Sequence, residues 1–367
     1  MKKISTVIGA NYGDEGKGLV TSQLSLPKNT LNILNNGSCQ RAHTVEFENG
    51  IKHVFHHFGS GTFNGATTCF SKFFIVNPIF FNVELEQLKA KGITPNKVIC
   101  SKESKLALPY DAFINQILHF SKGNYGTCGF GVWETEVRNE THPLSFYNFL
   151  RMEVDEQHEY LSYVANQYST ERLRKLGIKT LPKQYEELFY SSNLKTKFIQ
   201  DCLKMQEFTQ EFYSGYAPVE RFDNIVIENG QGLLLDQNTD SEDTCTPSNT
   251  GVKNIKEIIA PTIDGVFNNF YISRAYLTRH GNGQLDNEKS NPFIDETNVF
   301  NQFQGGLRFA ELDVSRLENR ILQDSTDAKG NVHLVFTHTN EVNVPKEKLL
   351  YSSDIAYHYS DNKYSFI

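Results

Sequence analysis

Short, near-continuous apolar runs separated by polar, glycine-bearing turns fill the first hundred residues. Residues 4–8, 31–34, 54–58, 73–76 and 98–100 each have the length and composition of a buried strand. Between them, residues 18–25 and 83–91 read as helices. Strands that are apolar on both faces need helices on both sides, so the pattern predicts an α/β fold with a mostly parallel sheet. From 143 to 214 the chain turns charged and helical in period, interrupted at Pro182, which predicts several helices packed on one side of that sheet. Strand-like runs return at 224–227, 265–272 and 332–336. No internal repeat, low-complexity tract or linker separates these parts. One domain over 1–367 with a helical insertion at 143–214 is the economical expectation.

Composition narrows the function. The 367 residues carry 36 Lys plus Arg and 43 Asp plus Glu, a net charge of −7, which argues against a surface built to grip nucleic acid. At 39% hydrophobic the chain can build a sizeable core, and no apolar stretch approaches the roughly 20 residues of a membrane span. Met1-Lys2-Lys3-Ile4-Ser5 runs straight into a strand, without the apolar region of a signal peptide. Six scattered cysteines with no Cys-x-x-Cys pair read as reduced thiols of a cytoplasmic protein rather than a zinc site.

The first strand empties into Gly9-Ala10-Asn11-Tyr12-Gly13-Asp14-Glu15-Gly16-Lys17-Gly18 and then a helix. Glycines let successive N–H groups converge on one anion, the helix N-terminus adds partial positive charge, and Lys17 adds a full one. This is phosphate-cradle chemistry, although Gly9 lies too far from Gly16 for a Walker A loop and no Ser or Thr follows Lys17. Asp14 has two readings at this point, a reacting carboxylate or a cap of the following helix. The cluster His53, His56 and His57 reads as structural rather than as a metal site, because a strand would split it between two faces.

Gly13-Asp14-Glu15-Gly16-Lys17-Gly18 resembles the signature of the adenylosuccinate synthetase family, and four further blocks follow in that family's order. They are the 36–45 segment ending in Ala42-His43-Thr44, Thr127-Cys128-Gly129 with Trp133 and Arg138, Glu228-Asn229-Gly230-Gln231-Gly232, and Thr246-Pro247-Ser248-Asn249-Thr250. The resemblance implies a P-loop-NTPase-like fold and a ligase joining L-aspartate to C6 of a 6-oxopurine nucleotide. O6 is first phosphorylated by a nucleoside triphosphate with Mg2+. It further implies that Asp14 removes the N1 proton and ligates magnesium together with the Ala42 carbonyl, and that His43, as imidazolium, steadies the transferring phosphoryl group. Gly13, Glu15, Gly16, Lys17, Gly18 and Thr44 would hold nucleotide phosphates. Asn11, Gln40, Arg41, Thr127, Arg138, Gln231 and Thr246 would hold the purine nucleoside monophosphate. Arg138 would do so across a homodimer interface.

Three departures from the family carry specificity. Gly305, Gly306 and Arg308 match its aspartate-binding loop, but Gly306 stands where an arginine near the ribose 2′-hydroxyl is usual. Thr337 to Asn340 replaces a guanine-reading Lys-x-Asp, and only 27 residues follow Asn340. Together these resemble the family's phage branch, which makes 2-aminoadenylosuccinate. The leading expectation is therefore dGMP as acceptor with ATP or dATP as donor, against IMP with GTP. Asp14 itself speaks for the latter pair. A nucleotide-binding regulator without turnover is the alternative of another class, and the joint presence of Asp14, Lys17 and His43 speaks against it.

Overall fold

The protein is described by a computed structural model over residues 1–46, 50–123, 127–239, 245–290, 300, 302–339 and 341–342, with two backbone strands beyond. The chain opens with β1 (Lys2–Gly9), α1 (Lys17–Leu24) and β2 (Thr30–Leu34). A hairpin of β3 (His43–Glu46) and β4 (Lys52–Phe55) follows, then β5 (Thr67–Phe70), α2 (Pro78–Ala90), β6 (Val98–Ser101) and α3 (Pro109–Lys122). Next come α4 (Val132–Thr141), α5 (Phe146–Leu150), α6 (Val154–Tyr163), α7 (Ser169–Lys175), α8 (Lys183–Tyr190) and α9 (Ser192–Glu207). Strand β7 (Thr209–Phe212), β8 (Asn224–Gly232), α10 (Ile255–Ile258), β9 (Gly265–Arg274) and β10 (Leu277–His280) lead to β11 (Glu288–Lys289) and β12 (Leu307–Ala310). The chain ends through α11 (Val314–Ser325), β13 (Asn331–Thr337), β14 (Tyr357–Ser360) and β15 (Lys363–Phe366).

Ten strands form one sheet in the order β15-β14-β13-β9-β1-β8-β2-β5-β6-β7, parallel throughout except for the edge pair β14 and β15. Alternation along β1 decides which face each layer covers. Ile4 and Ile8 point to the side packed by α10 and α11, with Ile225, Ile227, Leu317 and Ile321. Val7 points to the other side with Val20 of α1, Val226 and Ile272. A larger aromatic core, including Phe58, Phe70, Phe74, Phe81, Phe146 and Phe149, lies between the β2-to-β6 half of the sheet and the helices α2 to α9. The α/β fold with helices on both faces is therefore as the apolar pattern predicts. No described helix is long and apolar enough to cross a membrane.

Three elements differ from the sequence reading. The run at 54–58 is a strand only to Phe55, and it pairs antiparallel with β3 outside the main sheet. The run at 73–76 is not a strand; it crosses the aromatic core as a connection, and the sheet position belongs to Thr67–Phe70, which is polar at its start. Burial alone made both runs apolar, and burial does not distinguish a strand from a loop under a helical layer. Finally, the helical stretch ends at Glu207, because Thr209–Phe212 adds an edge strand parallel to β6.

Candidate active site

Strands β1, β8, β2, β9 and β13 all point their C-terminal ends at one crevice, with β1 between β8 and β9. Open parallel sheets bind ligands at such a place, because neighbouring crossovers diverge there and leave the strand ends uncovered. The glycine turn lies on this edge. Gly13 at φ 126° and Gly16 at φ 89° adopt backbone conformations open to glycine alone at little cost. Gly9 has no room for a side chain, since a Cβ there would lie 2.5 Å from a Glu15 oxygen. The backbone N–H groups of Asn11 and Gly13 both donate to Glu15 Oε1, at 3.0 and 2.8 Å. Lys17 donates to Glu15 Oε2 at 3.2 Å and also to the Gly13 carbonyl. The Glu15 carboxylate thus sits where an anion would, using the donors a phosphate would use. Gly18 lets β3 approach α1, a Cβ there standing 3.0 Å from the Thr44 carbonyl, and so brings His43 and Thr44 beside the cradle.

Asp14 does not cap α1, whose N-cap is Gly16 without a side-chain bond. The Asp14 side chain is about a quarter exposed, its Oδ2 lies 3.6 Å from His280 Nε2, and Arg274 Nε donates to its backbone carbonyl. Arg320 donates to Ala10 O at 3.2 Å, and the guanidinium of Arg279 stacks over Tyr12 with 4.5 Å to the ring centroid. Arg274, Arg279, His280 and Arg320 were not legible as site residues. A strand ending in Arg274 and leading to Arg279-His280-Gly281 was the signal, since charge past the C-terminal end of a parallel strand faces the crevice.

His43 is buried with Nδ1 2.5 Å from Glu228 Oε1. Glu228 also accepts from Ser60 Oγ at 2.5 Å and Ser60 N at 3.1 Å, and pairs with Arg41 at 2.9 Å. Burial, then the positive charge of Arg41, pull the His43 pKa down to about 4, against the upward pull of Glu228. Burial opposes the charge on Glu228, but Arg41 and His43 outweigh it and hold its pKa at about 2. Arg41 and Glu228 neutralise one another, so His43 is neutral in this state, donating through Nδ1 to the carboxylate. The imidazolium expected from sequence therefore requires a further negative charge beside the ring.

Several expected ligands are spent inside the protein. Arg138 is fully buried, with Nε and Nη2 on the two oxygens of Asp111 at 2.9 and 2.8 Å. It presents no surface to a neighbouring subunit, and the homodimer expectation rested on it. Arg41 is 1% exposed and paired with Glu228. Asn11 donates to Ser273 Oγ at 2.9 Å and accepts from Arg320 at 2.5 Å. A desolvated guanidinium or amide must find partners nearby, and most of these donors have found them in the fold, although Arg41 Nε and Arg138 Nη1 have no hydrogen-bond partner among the described residues. Thr337 donates its hydroxyl to the Glu15 carbonyl at 2.8 Å, which fixes the turn instead of meeting a base. Asn340 lies outside the described residues.

Others remain available. Gln231 is half-buried beside the turn, a Cβ on Gly13 lying 4.0 Å from its Cα. Gln40 carries a buried Oε1 without a hydrogen-bond partner. Thr127 donates to Asn115 Oδ1 at 2.6 Å, and Thr246 is tied by its N–H to Leu235 O at 2.7 Å. Arg308 holds the carboxylate of Glu288 through Nε and Nη2 at 2.9 and 2.5 Å, the geometry the fork offers any carboxylate. Arg279 stands directly opposite it on β10, while Gly305 and Gly306 precede β12. Ala42 is exposed immediately before His43. The three histidines of 53–57 gather round buried Glu84, which accepts from the N–H groups of His56 and His57 at 3.0 and 2.5 Å.

The depressed histidines make a prediction. Burial lowers the His57 pKa to about 3 and the His43 pKa to about 4, from 6.5. Between 6.5 and those values the unfolded chain binds more protons, so stability falls as pH falls. Each imidazole should remove on the order of 2 kcal/mol on going from neutral pH to about pH 5. Urea midpoints at the two pH values test this, and an unchanged midpoint would show that both rings are hydrated.

A phosphate cradle at the C-terminal edge of a doubly covered parallel sheet defines a nucleotide-binding α/β protein. The family model described as adenylosuccinate synthetase matches residues 6–305. The chain belongs to the adenylosuccinate synthetase family. It is 29% identical over 293 residues to the synthetase of Gloeothece citriformis, covering 77% of this chain and 61% of that one. With the Nostoc punctiforme synthetase it shares 28% identity over 317 residues, covering 82% and 67%. It thus spans about three fifths to two thirds of the length of these relatives. The fold is shared with the Plasmodium falciparum synthetase at a TM-score of 0.67 and 16% identity, covering 93% of this chain and 77% of that one. It is shared too with the succinoaminodeoxyadenylate synthetase of cyanophage S-2L, solved with dGMP and dATP, at 0.54 and 14%, covering 92% and 85%.

Proposed function

We propose that this chain joins L-aspartate to C6 of a 6-oxopurine nucleotide through a 6-phosphoryl intermediate. The observation that carries the reading is the meeting of the Asp14 turn, His43 and Gln231 at one crevice, with His43 Nε2 3.3 Å from the carbonyl next to Gln231. Oxide is a poor leaving group, so O6 must be phosphorylated before an amine can replace it. Asp14 takes the N1 proton, which makes O6 nucleophilic toward the terminal phosphoryl group. Main-chain N–H groups of the turn and Lys17 hold the phosphates once Glu15 yields them. Glu228 keeps His43 oriented, and the negative field of the phosphates favours the protonated ring that can donate from Nε2. Arg308 exchanges Glu288 for a carboxylate of L-aspartate, whose amine then displaces phosphate at C6. Residues for Mg2+ fit, because the Asp14 carboxylate and the Ala42 carbonyl are hard oxygens, and this ion usually takes one or two protein ligands plus phosphates and water. Bound there it would neutralise triphosphate charge.

The acceptor we favour is dGMP, with ATP or dATP as donor, giving 2-amino-2′-deoxyadenylosuccinate. Gly306 supplies no side chain toward a 2′-hydroxyl, and a carboxylate at Asp14 can accept from both N1–H and the adjacent 2-amino group. The likeness to the cyanophage enzyme bears on fold alone. IMP with GTP is the second reading, favoured by the names of the cyanobacterial relatives and by the retained Asp14. A matrix of IMP, GMP and dGMP against ATP, dATP and GTP, read by product mass, tests both. We expect the succinylated product from dGMP with an adenine donor. Product from IMP alone would overturn the acceptor, a strong preference for GTP would overturn the donor, and no product in any cell would overturn the ligase reading.

A further inference from the structure

Among the described residues the side-chain amide of Gln231 has one hydrogen bond, in which its Oε1 accepts from Asn36 Nδ2 at 2.9 Å. Asn36 follows the end of β2 and is fully buried. The backbone dictates which way round its amide sits. Its Oδ1 accepts from the Gly230 N–H at 2.9 Å, a group able only to donate. Its Nδ2 must then serve the remaining partners, Gln231 Oε1 and Ser248 Oγ, the latter at 2.8 Å. Behind it a second layer of amides fixes the two strand ends. Asn35 donates to Asn229 Oδ1 at 2.7 Å, Asn254 donates to Asn35 Oδ1 at 3.0 Å, and Asn229 donates to the Gly251 carbonyl at 3.1 Å. None of these bonds can be reversed without stranding a buried donor.

With Oε1 committed, Gln231 has only its NH2 to offer the crevice. That group lies beside Gly37, where an added Cβ would be 3.2 Å from Nε2. We infer that Asn36 is a positioning residue: it locks Gln231 with NH2 outward, so that the pocket accepts a 6-oxo group and disfavours a 6-amino group. The inference rests on the proposed function, with Gln231, which meets Asp14 and His43 at the crevice, facing C6 of the purine. It adds a consequence for turnover. The substrate presents an acceptor at C6 and the product an N–H donor, so the same fixed amide that holds substrate opposes a donor in the product.

Isosteric Asn36→Asp is the decisive variant. At about pH 8 the new carboxylate accepts from Gly230 N–H but cannot donate to Gln231 Oε1, so the glutamine turns over and presents oxygen. Binding of dGMP and of its 6-amino counterpart, 2,6-diaminopurine deoxynucleoside monophosphate, is measured by calorimetry, with kcat and KM for the reaction alongside. Wild type is expected to prefer dGMP at least tenfold, and Asn36→Asp to lower that preference at least tenfold, the scale of exchanging a matched hydrogen bond for opposed acceptors. Asn36→Leu should weaken dGMP binding without improving the 6-amino ligand. A folded Asn36→Asp with the wild-type preference overturns the inference; if that variant does not fold, unchanged preference in Asn36→Leu does so. Wild type that binds neither nucleotide overturns dGMP as acceptor, and this inference with it, whereas the ligase reading falls only if the substrate matrix gives no product.

Discussion

Asp14→Ala should lower turnover at least ~100-fold, the scale of losing a positioned base, while leaving stability nearly untouched. The separation is clean because Asp14 holds the fold through its carbonyl, which Arg274 engages, and not through its carboxylate. The α1 N-cap is Gly16, so no cap is lost either. Surface-accessible changes of this kind shift stability by about 0.5 kcal/mol or less. Phosphate should still reach the cradle of main-chain N–H groups and Lys17, but triphosphate binding with Mg2+ should weaken, because Asp14 is also the proposed carboxylate ligand of that ion. Steady-state rates, triphosphate titration and a thermal melt on one preparation check all three. Near-normal turnover would demote the carboxylate to a bystander, and a large drop in melting temperature would make it structural.

Glu228→Ala is expected to have the largest effect on stability. The carboxylate is the counter-charge of a fully desolvated Arg41, the acceptor for His43, and the partner of Ser60 in one buried cluster. Removing one member of such a pair leaves an uncompensated charge inside, which costs about 3–5 kcal/mol. Glu228→Gln keeps the volume and part of the hydrogen bonding, so it should fold better. It should nevertheless lose roughly 100-fold in turnover, because a neutral amide no longer fixes the ring tautomer of His43. Denaturant melts and rates on both variants decide. An alanine variant as stable as wild type would mean that water reaches Arg41, and a glutamine variant with full activity would sever Glu228 from catalysis.

The role of Glu228 illustrates where sequence reading stops. Glu228 is visible in the 228–232 block, but its partner His43 lies 185 positions away. Arg41 and Arg138 look like ligands for nucleotide phosphate because arginine is the residue for that task. Both instead neutralise buried carboxylates, and nothing local marks Glu228 or Asp111 as their partners. Arg308, which the family resemblance assigns to the aspartate carboxylate, grips the carboxylate of Glu288 in forked geometry, again a partner the local sequence does not mark. Strand assignment failed for a related reason at 73–76, where burial under the aromatic helical layer imitates a strand.

What the chain determines locally is the continuous apolar run of β1, the glycines that permit positive φ at 13 and 16, and the ordered blocks that assign the family. Backbone sterics and apolar periodicity act over a few residues, and a linear string displays them. Only the folded molecule decided that Glu15 fills the cradle, that Glu228 gathers Arg41 and His43, and that Asn36 turns Gln231 outward. Those outcomes follow from the pairing of charges and amides taken out of water, and partners in that pairing are chosen by distance in space, not along the chain.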